Sequence, residues 1–222
     1  SRGLGDVYKR QIADVVKKYD AYVVTDEVYE HIVYAPNKHI YMQALDGMRE
    51  RTIVCNSLSK TYSITGWRLG YVIANPEIID RVKKVHDFLT VGAAAPLMEA
   101  ATVGLKFDDK YYDELAAHYA HMKEVFVGGL EKLGLKYTDP QGAYYVLVDV
   151  SEFGVKDDVK FCEWLAQYVG VAAVPGSSFF REDVHNLIRF HFAKQDDTLN
   201  EAINRLAGLR KAVAEAGDVE WR

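Results

Sequence analysis

Apolar residues recur along this chain with two alternating periods, and the alternation predicts its elements in order. Ile12, Val15, Val16 and Tyr19 form a helical stripe, and the largely apolar run Ala21 to Thr25 that follows predicts a strand. Thr52 to Cys55 and Gly70 to Ala74 predict two more short strands. Pro76 then opens a helix expected to run to about Leu89, proline being favoured in a first turn. Small residues from Val91 to Pro96 interrupt the pattern, and a further helix is expected from Leu97 to about Lys106. From Asp108 a long helix carries Leu115, Tyr119, Met122, Phe126, Leu130 and Leu133 at three- and four-residue steps and ends at Gly134. Gly142 to Asp149 predicts a strand, Val159 to Tyr168 a helix, Val171 to Val174 and Leu187 to Ala193 strands, and Thr198 to Ala216 a closing amphipathic helix. Strand and helix alternating in this way predict an α/β fold with a doubly wound sheet.

Composition supports a packed core and excludes several classes of function. The 222 residues are 49% hydrophobic and 12% aromatic, enough for one large domain or two small ones and unlike a disordered chain. No apolar run reaches the roughly twenty residues of a membrane helix, and no basic-then-apolar signal segment opens the chain. The expectation is a cytoplasmic protein with no membrane partner. A net charge of −5 with dispersed lysines and arginines gives no clustered positive patch, so no nucleic-acid partner is expected. Cys55 and Cys162 are too few and too far apart for a disulfide frame, and both read as buried small apolar residues. The seven histidines show no recognised metal-ligand spacing. His118 and His121, three apart on the long helix with Glu114 one turn before, read as a solvated face, and no metal is expected.

The first eleven residues stand apart. Gly5 to Gln11 has no useful period, and Asp6 to Gln11 resembles the conceptual translation of a transposon-end adapter from sequencing-library preparation. Residues 1–11 are therefore read as a non-native leader, the alternative being a native helix start. On that reading the chain is the carboxyl-terminal portion of a longer protein.

The chemistry concentrates in Ser57-Leu58-Ser59-Lys60 and Gly66-Trp67-Arg68-Leu69-Gly70. One amine stands among hydroxyls and a guanidinium, with glycines that let backbone approach closely. A lysine so placed can condense with an aldehyde while the hydroxyls and the guanidinium hold a phosphate. Pyridoxal phosphate carries both groups. Upstream, the strand ending in Thr25-Asp26-Glu27-Val28-Tyr29 delivers a carboxylate, and ligands of open α/β sheets sit beyond the carboxyl ends of strands. A carboxylate at roughly 4 Å from a pyridine nitrogen, at an effective dielectric of about 20, is worth about 4 kcal/mol. That corresponds to about three pKa units, enough to keep the nitrogen protonated and the ring a strong electron sink. Taken singly, each residue has an ordinary reading: a surface lysine, a strand-end carboxylate, packing for Trp67.

Together these motifs resemble the class I/II aminotransferases of pyridoxal-phosphate fold type I. The resemblance implies that Lys60 bonds the cofactor and serves as catalytic base, that Asp26 pairs with the ring nitrogen, and that Tyr29 hydrogen-bonds the ring phenolate oxygen. It implies that Ser57 and Arg68 hold the phosphate, with Ser59 a weaker candidate. Asn186 to Ala193 is similar to the family's late strand whose arginine binds the substrate α-carboxylate, which points to Arg189. Gly142-Ala143-Tyr144-Tyr145 and Val174 to Phe179 are similar to the family's small domain. The expected organisation is part of a mostly parallel large domain with helices on both faces over residues 12–100, then an α+β small domain over 101–222, with no visible linker.

The implied reaction is amino-group transfer from an L-amino acid to a 2-oxo acid in two half-reactions, with a homodimer expected of the parent enzyme. The aromatic pairs Tyr144-Tyr145 and Phe179-Phe180 lean toward an aromatic or bulky neutral donor, although core packing accounts for them equally. Two alternatives share the same residues: a pyridoxal-phosphate carbon-sulfur lyase, and the ligand-sensing domain of a transcription regulator. The family's glycine-rich phosphate loop, ring-stacking aromatic, phenolate asparagine and partner-subunit tyrosine have no counterpart in this sequence. The 222-residue chain alone is therefore expected to bind the cofactor weakly and to turn over little.

Overall fold

The computed structural model describes the backbone from Leu4 to Arg222 and side chains from Val7 onward. Two compact units meet at Ala116–Ala117, within a helix. In the first, α1 (Leu4–Lys18) leads into β1 (Val23–Asp26), and a run of turns reaches β2 (Thr52–Ser57). Then come the short α2 (Leu58–Thr61), β3 (Gly70–Ile73), α3 (Pro76–Thr90) and α4 (Ala95–Gly104). Helix α1 extends back to Leu4, so residues 4–11 of the adapter-like span are helical, and Lys9 there lies 3.9 Å from the buried Glu27.

Three strands form the first unit's sheet in the order β1-β2-β3. β1 and β2 run parallel, with Val23 opposite Thr52 and Asp26 opposite Cys55, whereas β3 returns antiparallel with Gly70 opposite Ser57. Twelve residues, Leu58 to Leu69, separate β2 from this antiparallel member. Gly70 is required at this pairing: a Cβ there would stand 2.6 Å from the Asn56 carbonyl oxygen. Ala13, Val16, Met42 and Met48 pack one core beneath the sheet, and Leu58, Leu69 and Ala101 pack another around the lysine loop. α3 is capped by Asn75, whose side chain accepts from the Glu77 N–H, and it has Pro76 in its first turn. It buries none of its residues, and Phe88 is 92% exposed.

The second unit holds most of α5 (Asp109–Lys132) and a four-stranded antiparallel sheet in the order β4-β5-β7-β6. Its strands are β4 (Lys136–Tyr137), β5 (Tyr145–Asp149), β6 (Val174–Pro175) and β7 (Leu187–His191). α6 (Asp158–Trp164), α7 (Asp196–Leu206) and α8 (Leu209–Glu215) complete it. Val146, Val148, Ile188 and Phe190 turn one sheet face into the core with Met122, Phe126 and Leu130 of α5, as the three- and four-residue spacing requires. Gly134, at φ +66°, terminates α5 where expected.

Several boundaries differ from the sequence reading. The expected Thr198 to Ala216 helix is broken at Ala207–Gly208 into α7 and α8. The expected Val159 to Tyr168 helix widens after Trp164 into a turn of π-helix, Leu165–Val169, that Gly170 ends at φ +75°. Of the expected Val171 to Val174 strand only Val174 pairs, and the paired segment continues to Pro175, opposite Arg189 and Ile188 of β7. β4 was invisible to a pattern search, being two residues long. Cys162 is buried, but Cys55 is only half-buried, since it alternates outward along β2. Among the described residues no helix is long and apolar enough to cross a membrane.

Replacing Gly70 by alanine is expected to cost about 1–3 kcal/mol, the usual penalty for forcing an atom into filled space. Gly66→Ala, where a Cβ would meet nothing within 4 Å, should change stability far less. Urea unfolding midpoints of the two variants check this.

Candidate active site

The strand pairings of the first unit determine where its reactive side chains stand. Asp26 ends β1 and Ser57 ends β2, so in a parallel pair both lie at the same, carboxyl-terminal edge. Because β3 is antiparallel and begins opposite Ser57, Arg68 and Leu69 enter at that edge too. Asp26, Tyr29, Ser57, Ser59, Lys60 and Arg68 are therefore gathered at one end of one sheet. Arg189 belongs to the second unit, on β7.

The lysine loop is held tightly. Ser57 caps α2: its Oγ accepts from the Ser59 N–H at 3.1 Å, lies 2.6 Å from Ser59 Oγ and donates to the Leu69 carbonyl at 3.2 Å. Ser59 is buried at 5% exposure and Lys60 is half-buried. Arg68 takes a left-handed backbone conformation, φ +56°, and its guanidinium donates to the Thr65 carbonyl at 3.0 Å from an exposed position. Asp26 is exposed, and its Oδ1 accepts from the Val28 N–H at 3.3 Å.

Sequence reasoning missed the polar layer behind this loop. Asn56 donates to Glu30 at 2.6 Å while its own carbonyl accepts from the Ser57 N–H at 2.7 Å, tying the loop's first residue to the segment after β1. Tyr71 reaches the same Glu30 oxygen at 3.4 Å, and burial, with Glu30 beside it, pushes its phenol up to about 12. Beyond Lys60, Tyr111 donates to the Thr61 carbonyl at 2.7 Å, and the Tyr62 and Tyr112 hydroxyls lie 2.9 Å apart. Burial first, and then Tyr112, raises the Tyr62 phenol above its ordinary range. One signal for Asn56 was available: it occupies an inward position of an alternating strand, where a polar residue needs a partner.

Around Arg189 the second unit builds a different environment. β7 alternates, with Ile188 and Phe190 buried and Leu187, Arg189 and His191 on the other face. Arg189 stands opposite Leu147 of β5 and opposite Val174 of β6. Its guanidinium carbon lies 4.1 Å from the centre of the Tyr145 ring and 3.9 Å from that of Phe179. Among the described residues, Arg189 Nε is buried without a hydrogen-bond partner. An unmet buried donor costs about 1–3 kcal/mol, so this edge of the guanidinium is matched to an acceptor such as a carboxylate. The sequence had singled out Tyr145 and Phe179 as aromatic, but their place against Arg189 depends on strand register.

Phe179 closes a tight turn, Gly176–Phe179, that is pinned at two points. A Cβ on Gly176 would fall 2.3 Å from the Leu187 carbonyl oxygen, so only glycine fits there. The fully buried Asp158 accepts from the Ser177 N–H at 2.8 Å and meets His185 Nδ1 at 2.8 Å, while His185 Nε2 meets Asp183 at 2.8 Å. Burial pushes the Asp158 carboxyl up, but the Ser177 N–H and His185 together outweigh it and leave it below the usual carboxylate range. The hydrogen bonds to Asp158 and then Asp183 raise His185 above its ordinary value. Elsewhere His121 pairs with Asp196 at 2.9 Å. Among the described residues no group of three or more His, Cys, Asp or Glu is placed to hold a metal.

The donor set at the first unit's sheet edge fits pyridoxal phosphate: a carboxylate for a ring nitrogen, an amine for an aldehyde, a phenol for a phenolate, and hydroxyls with a guanidinium for a phosphate. The family model "Aminotransferase class I and II" matches residues 8–206. Methionine aminotransferase of Escherichia coli (strain K12) is 38% identical over 192 residues, 86% of this chain and 50% of that protein. A probable N-succinyldiaminopimelate aminotransferase of Mycobacterium tuberculosis is 35% identical over 213 residues, 91% of this chain and 54% of that one. The crystal structure of an aromatic aminotransferase from Pyrococcus horikoshii OT3 superimposes with a TM-score of 0.84 at 34% identity, covering 91% of this chain and 54% of that one. The chain thus spans about half the length of the curated relatives it matches.

The raised His185 contributes stability that is complete below its unfolded pKa of about 6.5 and is lost as pH rises through the higher folded value. Asp158, held low, contributes stability present above its unfolded value of about 4 and lost on acidification through the folded one. The Asp158–His185 anchor of the Gly176–Phe179 turn is therefore at full strength between about pH 4 and pH 6.5. The His185 imidazole, followed by NMR, is expected to titrate above 6.5 in the wild type and to fall back in Asp158→Asn.

Proposed function

Because this chain belongs to the class I and II aminotransferase family, we propose that it carries the lysine-bearing part of a pyridoxal-phosphate-dependent transaminase that moves an amino group from an L-amino acid to a 2-oxo acid. The observation that supports this reading most is the meeting of Asp26, Lys60 and Arg68 at one sheet edge, set by the parallel β1–β2 pair and the antiparallel return of β3.

When bound, the cofactor supplies an electron-accepting ring that stabilises the negative charge left at the substrate α-carbon. Each residue then has a task. Asp26 keeps the ring nitrogen protonated by pairing with it. The Tyr29 hydroxyl donates to the ring phenolate oxygen. Ser57, Ser59 and the Arg68 guanidinium hold the phosphate, whose oxygens accept charge-assisted hydrogen bonds. Lys60 Nζ would hold the cofactor through its aldehyde and, once free, would take the proton from the substrate α-carbon and deliver it to the cofactor side, as amino-group transfer requires, because an amine held beside the carbon acts without a diffusional encounter. Arg189 takes the substrate carboxylate in a two-pronged contact that orients the α-carbon.

The donor is read as an aromatic or bulky neutral amino acid on the aromatic segments Tyr144-Tyr145 and Phe179-Phe180. Two of these rings, Tyr145 and Phe179, are engaged by Arg189, which leaves Tyr144 and the exposed Phe180 to carry that preference. The whole protein is read as a homodimer on family resemblance, and as cytoplasmic on the composition and cysteine usage of the sequence.

Borohydride reduction of the chain mixed with pyridoxal phosphate, followed by peptide mapping, tests the assignment of the lysine. The expected outcome is one dominant label on Lys60 that is absent from Lys60→Ala. Comparable labelling of several surface lysines would contradict it.

A further inference from the structure

We infer that Tyr145 and Phe179 are positioning residues for Arg189: their rings clasp the guanidinium from the two sides of β7 and fix its plane, so that its edge receives a single planar carboxylate. This rests on the reading of Arg189 as the carboxylate-binding residue and adds to it a reason why the group is held ready.

The argument starts from sheet order. β7 lies between β5 and β6, so a side chain at Arg189 has one neighbour strand on each side. Tyr145 belongs to β5 and shares a face with Leu147, the residue opposite Arg189, which places it diagonally across the strand pair. Phe179 comes from the other side, on the turn that follows β6. The guanidinium carbon is 4.1 Å from one ring centre and 3.9 Å from the other, so both aromatic contacts are close. Guanidinium faces are weakly hydrated and attracted to the electron-rich faces of aromatic rings, and such stacking uses none of the N–H donors. Those donors lie in the plane, along its edge. Nε, buried and without a partner among the described residues, is one of them.

Both rings are themselves restrained. Tyr145 stands in a paired strand and packs on Tyr144 with centres 4.8 Å apart. Phe179 is carried by the turn that Gly176 seats against Leu187 and that the buried Asp158 anchors through the Ser177 N–H. A long arginine side chain free to rotate would lose that freedom on meeting a carboxylate. Here the protein has already restricted it, which is how preorganisation raises affinity. Phe179 is 47% exposed, so its truncation removes little core packing and isolates the positioning effect.

The test is the Arg189 Nε–Hε resonance in the 15N-labelled 222-residue chain, assigned by its loss in Arg189→Lys, and titrated with sodium propionate and with the neutral control propionamide. In the wild type a saturable shift with propionate and none with propionamide is expected. Phe179→Leu and Tyr145→Leu should each weaken the propionate affinity by at least about threefold, the size of effect that loss of one such stacking contact produces. Tyr145→Phe, which keeps the ring face, should restore it, and the amide spectrum of each variant verifies its fold. Leucine variants that bind propionate within threefold of the wild type would overturn the positioning role while leaving the carboxylate role of Arg189 intact. A wild-type resonance that responds equally to both compounds would overturn both.

Discussion

The pairing of β2 with its two neighbours is the constraint on which the first unit's chemistry depends. A parallel partner on one side and an antiparallel partner on the other bring the end of β1, the end of β2 and the start of β3 to a single edge. Residues more than forty positions apart in sequence, Asp26 and Arg68, thereby come to one end of the sheet. The pairing relies on a close approach at Gly70, whose missing Cβ leaves room for the Asn56 carbonyl. From that contact the order of dependence runs outward. Asn56 fixes the Ser57 N–H, Ser57 caps the turn bearing Lys60, and Tyr111 holds the turn's far end at Thr61.

The second unit solves a different problem with the same means. It keeps one guanidinium half-buried and, among the described residues, in no ion pair with a carboxylate; on the proposed role of Arg189, an internal ion pair would consume the donors that a ligand needs. Aromatic stacking meets that need, because it shields the faces of the group and spares its edge. The buried Asp158 anchors the turn carrying one of the rings, through Ser177, and His185 completes the anchor. A carboxylate thus serves Arg189 at a distance, by positioning a phenylalanine, instead of neutralising it directly.

Much of this was legible in the sequence. The helical period of α5, with Tyr119, Met122, Phe126 and Leu130 turned inward, and the terminating Gly134 could be read directly. So could the strands that carry Asp26, the lysine loop and Arg189, because each is a short apolar run next to a chemically distinctive residue. What could not be read depends on pairing across long sequence separations. Glu30 and Asn56 look like ordinary polar residues until β2 is placed beside the segment after β1. Tyr145 and Phe179 look like core or pocket aromatics until β5 and β6 are set on either side of β7. The split of the last helix at Gly208 and the half-exposure of Cys55 are local choices that tertiary packing decides.

The central claim is that one sheet edge of this chain recognises a phosphate-bearing ring aldehyde, with Arg68 on the phosphate and Asp26 on the ring. The most direct measurement compares equilibrium affinities for pyridoxal phosphate and for pyridoxal, which lacks the phosphate, in the wild type, Arg68→Ala and Asp26→Asn. The account predicts a strong wild-type preference for the phosphorylated compound that shrinks about tenfold or more in Arg68→Ala, the loss of one charge-assisted contact, and persists in Asp26→Asn as both affinities fall together. A preference for the phosphorylated compound that is unchanged in Arg68→Ala would contradict it.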